Sequence, residues 1–197
     1  MFVALAAVAA TASCSSGAEP QHATVLDAPR PLPDVALIDQ TGAPFAIENL
    51  DGKPTLVFFG FTNCPDVCPT TLAVIADMTR KLGEQSDNLV PQVLFVSVDP
   101  ARDTPVQIRN YLAGFDERFI GVTADEDTLA PLYSTMAVSV HTETRDGETY
   151  RVTHNGTIYV LDRNSRWAAL FGASAQLGSM LSSDELASDF LAMRPSL

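Results

Sequence analysis

A central mixed sheet flanked by helices, an α/β fold, is predicted from three observations. First, two near-continuous apolar runs, Thr55-Leu56-Val57-Phe58-Phe59-Gly60-Phe61 and Val93-Leu94-Phe95-Val96-Ser97-Val98, read as strands covered on both faces. Second, each run is followed within a few residues by a helix-opening signal, Cys68-Pro69 in one case and Thr104-Pro105-Val106-Gln107 in the other. Proline suits a first helical turn, and Thr-x-x-Gln forms a capping box. Third, the later part of the chain turns to alternating segments separated by Asp-Gly and Asn-Ser turns, the pattern of antiparallel strands.

The elements follow in order. Phe2–Ala12 is an apolar, alanine-rich run ending in Thr11-Ala12-Ser13-Cys14. Its length is too short to span a bilayer and right for the apolar core of a signal peptide, so residues 1–13 are assigned as one. Small residues before Cys14, followed by Ser15-Ser16-Gly17, resemble the lipobox of bacterial lipoproteins, in which that cysteine is acylated. Residues 14–33 are polar and carry Pro20, Pro29, Pro31 and Pro33, which predicts a flexible tether. A domain over 34–197 then opens with a hairpin, Val35-Ala36-Leu37-Ile38 and Phe45-Ala46-Ile47 flanking Gln40-Thr41-Gly42.

After the first buried strand, Cys68 is expected to cap a helix running through Leu72, Ile75, Met78 and Leu82, with Pro69 at its first position. A thiol at the positive end of a helix dipole is expected to have a lowered pKa. The second strand leads through Asp99–Asp103 to a helix over Ile108, Tyr111 and Leu112. Phe119–Val122 reads as a short strand, Asp125 to Met136 as a helix. Val138–Thr144 and Glu148–Thr153 form a hairpin around Asp146-Gly147, Thr157–Leu161 and Trp167–Phe171 a strand pair across Arg163-Asn164-Ser165, and Ser182-Ser183-Asp184-Glu185 caps a last helix. A strand delivering a thiol pair to the mouth of a helix, inside this order of elements, predicts a thioredoxin-like fold with an N-terminal hairpin added and a hairpin inserted before the histidine-bearing loop.

The 197 residues carry 46% hydrophobic content and a formal charge of −12, enough for one ordinary core. Scattered basic residues in an acidic chain exclude a phosphate-tracking surface, so no nucleic-acid partner is expected. Three cysteines divide as Cys14 at the lipid position and Cys64 with Cys68 in the strand-to-helix junction. In an oxidising compartment such a dithiol must be kept reduced, hold metal or cycle. The spacing C-x-x-x-C differs from the usual redox C-x-x-C. If wound as one helical turn, it sets the alpha-carbons roughly 6 Å apart, within disulfide range and also wide enough to clasp one soft metal ion. Two thiolates and an imidazole suit Cu(I), and with an added oxygen donor Cu(II), whereas zinc wants a fourth firm ligand that cannot be identified here. Of the three histidines, His22 falls in the tether and His141 among polar hairpin residues, and both compete poorly with His154, beside Asn155-Gly156; taken alone, an isolated histidine of this kind is more often a surface or core residue than a ligand. Asp99 and Asp103 are assigned no catalytic role. They serve the turn and cap of the next helix, or, by the family resemblance that the next segments carry, belong to a docking loop beside the thiols.

Three segments carry a resemblance. Phe61-Thr62-Asn63-Cys64-Pro65-Asp66-Val67-Cys68-Pro69-Thr70-Thr71-Leu72, Val96-Ser97-Val98-Asp99-Pro100-Ala101-Arg102-Asp103-Thr104-Pro105 and Tyr150-Arg151-Val152-Thr153-His154-Asn155 resemble, in that order, the motifs of the Sco/SenC family of cytochrome oxidase assembly proteins. The resemblance implies Cys64, Cys68 and His154 as ligands of one copper ion, Cu(I) or Cu(II). It also implies delivery of copper or electrons to the binuclear copper site of the oxidase subunit. The sequence departs from the family where Thr153-His154-Asn155 replaces Asp-His-Ser, and where Asn63 replaces a histidine.

The expected protein is therefore a metallochaperone rather than an enzyme. It is exported to the periplasmic face of a membrane and held there by a lipid on Cys14 or by an uncleaved signal anchor. Its partner is the copper-bearing oxidase subunit or another copper chaperone. The alternative is a thiol-disulfide oxidoreductase or redox sensor that uses Cys64 and Cys68 as a catalytic dithiol and needs no His154. Peroxidase action lacks the Pro-x-x-x-Thr-x-x-Cys run, and an envelope adaptor ranks last.

Overall fold

The computed structural model describes residues 19–145, 149–154, 156–172 and 181–197, with the backbone alone for 142–145 and 149–154. Ten strands and four helices are formed within these limits. In chain order they are β1 (Ala23–Arg30), β2 (Leu37–Asp39), β3 (Pro44–Phe45), β4 (Thr55–Gly60), α1 (Val67–Gln85), β5 (Gln92–Ser97), α2 (Pro105–Leu112), β6 (Ile120–Thr123), α3 (Glu126–Met136), β7 (Val140–Arg145), β8 (Thr149–His154), β9 (Ile158–Leu161), β10 (Trp167–Phe171) and α4 (Ser183–Met193). Eight strands make one mixed sheet in the order β1-β10-β9-β4-β5-β6-β2-β3, while β7 and β8 pair as a separate ribbon.

The apolar runs become the centre of the sheet for the reason the sequence suggests. All six residues of β4 are buried, and β4, β5 and β6 run parallel, with Phe58 beside Phe95 and Phe59 beside Val96. Alternation along β4 then divides its aromatic rings between the two faces. Phe58 meets Phe95, which in turn meets Tyr111 of α2, whereas Phe59 meets Tyr133 of α3 and Tyr159 of β9. On β6 the strand passes close beneath α2. A Cβ added at Gly121 would come within 2.2 Å of the Ile108 side chain and 2.7 Å of Leu112, so only glycine fits.

Caps terminate the helices largely where the sequence places them. The side chains of Thr104 and Ser182 each accept from the backbone N–H three residues on, while their own backbone N–H groups donate to the side-chain oxygens of Gln107 and Glu185, and Asp125 caps α3. The opening of α1 differs. Its N-cap is Asp66, with no side-chain capping bond, so Val67, Cys68 and Pro69 are its first three residues. Proline is tolerated at the third position because first-turn N–H groups have no intrahelical acceptor in any case. The turn expected at Asp146-Gly147 lies outside the described residues, as do the leader 1–13 and Cys14.

The tether expected over 14–33 requires correction. Residues 23–30 within it form β1, paired antiparallel with β10 at the edge of the main sheet. The strand carries no two-residue apolar period, its register shifts between Val25 and Arg30, and its one proline, Pro29, sits where an edge strand can omit a donor. Side-chain contacts supply what periodicity does not. Asp189 of α4, only 2% exposed, accepts from the backbone N–H groups of Gln21 (2.9 Å), His22 (2.5 Å) and Ala23 (2.9 Å). At the other end the Arg30 guanidinium lies 5.4 Å from the Trp167 ring centroid.

Burial of Asp189 pushes its pKa up, but the three backbone donors together hold it below the usual carboxylate value. A lowered folded-state pKa means that its contribution is complete above the unfolded value of about 3.9 and is lost as pH falls through the folded one. Asp189→Ala is expected to reduce the unfolding free energy by about 2–3 kcal/mol at pH 7. Urea denaturation should show the difference from the parent narrowing below about pH 4.

Candidate metal centre

The junction between β4 and α1 is built around a close approach. Gly60 ends β4, and a Cβ there would stand 2.7 Å from Phe95 Cε2, 3.0 Å from Phe58 Cε1 and 3.3 Å from Cys68 Sγ. Absence of a side chain at Gly60 therefore admits the first turn of α1 against the sheet and seats the Cys68 sulfur over the strand end. Cys68 is fully buried, and Cys64 is half-buried in the loop between them. The loop is closed by Cys64 N–H donating to Phe61 O at 3.2 Å. Cys68 N–H donates to Cys64 Sγ at 3.4 Å. The two cysteines form a dithiol, not a disulfide.

The lowered thiol pKa expected from the helix dipole is overturned at Cys68. The Cys64 sulfur as hydrogen-bond partner and burial push the Cys68 thiol up, and the negative charge of Asp103 adds to the rise. A dipole of about half a charge at a helix end does not offset the loss of solvent around a buried sulfur. A bound cation reverses this balance, because a coordinating thiol loses its proton to the metal.

Asp103 turns out to do more than end a turn. At 1% exposure, its Oδ2 accepts from Thr62 N–H (3.0 Å) and Ser97 Oγ (2.7 Å), and its Oδ1 from Thr62 Oγ1 (2.6 Å). It thereby joins the loop that carries Cys64 to the end of β5. Asp99, also buried, pairs with Arg102 at 2.5 Å, and the cap of α2 belongs to Thr104. The role of Asp103 had one signal in the sequence: Ser97 is a hydroxyl inside an apolar strand, and a buried hydroxyl requires a partner. Tyr111 is a second residue that sequence reasoning passes over. Its hydroxyl is buried with no hydrogen-bond partner among the described residues. Burial raises its pKa, as do the thiols of Cys68 and Cys64 and the charge of Asp103.

Topology limits where His154 can be. It ends β8, opposite Val140, which packs against the core, whereas His141 stands opposite Thr153 and is exposed. Four residues later Ile158 begins β9, directly beside Phe58 of β4. Because β9 is antiparallel to β4, the chain enters it from the end where β4 hands over to the dithiol loop. Four extended residues span at most about 14 Å, so the backbone of His154 is held within that reach of Ile158. Its side chain lies outside the described residues. Among the described residues, no third His, Cys, Asp or Glu stands with the two sulfurs in a metal-binding group.

Comparison with known proteins is decisive about kinship. The SCO1/SenC family model matches residues 28–184. This chain belongs to the SCO1/SenC family. A protein of Stutzerimonas stutzeri named as a putative copper-binding protein is 34% identical over 160 residues, covering 80% of this chain and 78% of that one. A SCO2-like protein of Rickettsia conorii is 33% identical over 141 residues, 70% of this chain and 67% of its own length. Among solved structures, copper-bound ScoI of Bradyrhizobium japonicum is 34% identical, with a TM-score of 0.69 over 81% of this chain and 96% of that chain. Apo Sco1 of Thermus thermophilus is 31% identical, with a TM-score of 0.75 over 91% and 99%. The fold is thus thioredoxin-like, as the order of elements predicts, and copper is bound in a solved member of the family.

Gly60→Ala is expected to force the Phe95 ring and the Cys68 sulfur apart at a cost of about 1–3 kcal/mol. Alkylation of the folded protein should show it. In the parent Cys64 reacts well before the buried Cys68, and in Gly60→Ala the two rates converge.

Proposed function

We propose that this chain is a membrane-tethered copper-binding assembly factor. It delivers copper, with reducing equivalents where the acceptor needs them, to the binuclear copper site of a respiratory cytochrome oxidase subunit, directly or through another copper chaperone. The observation that carries the reading is the dithiol itself, two soft donors at a strand-to-helix junction, joined by the hydrogen bond from Cys68 N–H to Cys64 Sγ, with Cys68 buried and Cys64 partly exposed to an incoming partner. Copper is the cargo. Cys64, Cys68 and His154 would hold one ion, the sulfurs favouring Cu(I) and the imidazole serving either oxidation state. A three-donor site leaves a direction of approach open, so thiols of an acceptor can displace the donors one at a time, beginning with the accessible Cys64.

Each thiol must lose its proton on coordination, and the one that the Cys64 sulfur and burial make reluctant is Cys68. Copper binding then releases protons and tightens as pH rises. The anchor in this reading is an acyl chain on Cys14 or the preceding apolar run left uncleaved, at the periplasmic face of a membrane. No described helix is long and apolar enough to cross a bilayer.

A second reading is favoured by the unequal exposure of the sulfurs. Here the Cys64 thiolate attacks a substrate disulfide, and one substrate sulfur leaves and takes up a proton. Cys68 then gives its proton to the second substrate sulfur as it closes the Cys64–Cys68 disulfide. Two electrons pass from this dithiol to the substrate, which ends as two thiols. The two readings separate on His154. Titration with Cu(I) should give one ion per chain, abolished in Cys64→Ser or Cys68→Ser and weakened more than about tenfold in His154→Ala. Disulfide turnover in the presence of a copper chelator, brisk and indifferent to His154→Ala, would instead support exchange without metal carriage.

A further inference from the structure

Asp103 is a buried carboxylate that three neutral donors hold and that no basic side chain neutralises among the described residues. Its partners are Thr62 N–H, Thr62 Oγ1 and Ser97 Oγ. The nearest guanidinium in sequence, Arg102, is committed through Nε to Asp99 at 2.5 Å. Neutral donors solvate a carboxylate but leave its full charge in place, and in a water-poor setting that charge is felt over longer distances than at the surface. Thr62 is two residues from Cys64, a span of at most about 7 Å, which puts the carboxylate about 10 Å from a metal held by the sulfurs.

We propose that Asp103 is a positioning residue for the dithiol site, fixing the loop before Cys64 to the end of β5, and that its unneutralised charge biases copper bound there toward Cu(II) over Cu(I). The proposal rests on the copper reading of the site and adds a residue that reaches the metal only through Thr62 and through its field. A unit charge about 10 Å away at an effective dielectric of about 20 favours the more highly charged ion by on the order of tenfold. The two effects are separable, because asparagine can reproduce every hydrogen bond. Its Oδ1 in place of Asp103 Oδ2 still accepts from Thr62 N–H and Ser97 Oγ. Its Nδ2 donates to Thr62 Oγ1, whose hydroxyl rotates to accept. Asp103→Asn therefore removes charge and keeps shape, whereas Asp103→Leu removes both.

The test uses the full chain. In the apo protein, alkylation of Cys68 reports the loop, and in the copper-loaded protein potentiometry of the Cu(II)/Cu(I) couple reports the charge. Asp103→Asn is expected to keep Cys68 protected as in the parent and to raise the midpoint about tenfold in the affinity ratio, about 59 mV for one electron. Asp103→Leu is expected to expose Cys68 to alkylation. If Asp103→Leu does not fold, the asparagine variant still decides. An Asp103→Asn midpoint equal to the parent's overturns the charge bias while the copper reading stands. Cys68 as slow to alkylate in Asp103→Leu as in the parent overturns the positioning role. Failure of the parent to hold copper through Cys64 and Cys68 removes the copper reading, and the proposal falls with it.

Discussion

Contact between the end of β4 and the first turn of α1 is the constraint on which the rest of this structure depends. A glycine at position 60 lets a helix come within ordinary contact distance of a fully buried strand, and the space that a methyl group would fill is ringed by Phe58, Phe95 and the Cys68 sulfur. From that approach follow the burial of one thiol, the partial exposure of the other and the hydrogen bond from Cys68 N–H to Cys64 Sγ. The Asp103 carboxylate fastens the same loop from the other side, through Thr62, to the end of the adjacent parallel strand. Two short-range devices thus fix a dithiol whose sulfurs differ in access, the arrangement a carrier needs if it is to hold an ion securely and still surrender it.

Sheet topology does the remaining work over long range. His154 is remote from the cysteines in sequence, yet β9 begins four residues after it and runs antiparallel beside β4, so the chain must return to the dithiol end of the sheet to make that pairing. The inserted β7–β8 ribbon is therefore a detour whose exit is pinned. On the opposite flank β1 extends the sheet beyond β10, and Asp189 holds its beginning against α4. Folded structure is accordingly present from residue 21, not only from near residue 34 as composition suggests.

Much of the fold was legible in the sequence because its signals are local. The apolar runs of β4 and β5, the boxes at Thr104 and Ser182 and the cap at Asp125 each rest on residues within one turn or one strand. What was not legible depends on tertiary contact. Edge strand β1 has no periodic face, and it is held by its pairing with β10 and by a carboxylate 166 to 168 residues away. At α1 a proline compatible with several first-turn positions concealed the true cap by two residues. For the site, residue type and spacing singled out both cysteines, but the expected lowering of the Cys68 pKa failed because desolvation is a property of the packed structure. Asp103 looked like a turn residue because its partners, Thr62 and Ser97, belong to other segments. Kinship with the SCO1/SenC family agrees with the motif reading, and the assignment of His154 as third donor is the part that still rests on the motif and on chain reach.

X-ray absorption at the copper edge of the loaded chain tests that assignment most directly. The account predicts a first shell of two sulfurs and one imidazole nitrogen, with the nitrogen contribution and its outer-shell ring scattering lost in His154→Ala. A shell containing sulfur without imidazole, identical in parent and variant, would contradict it.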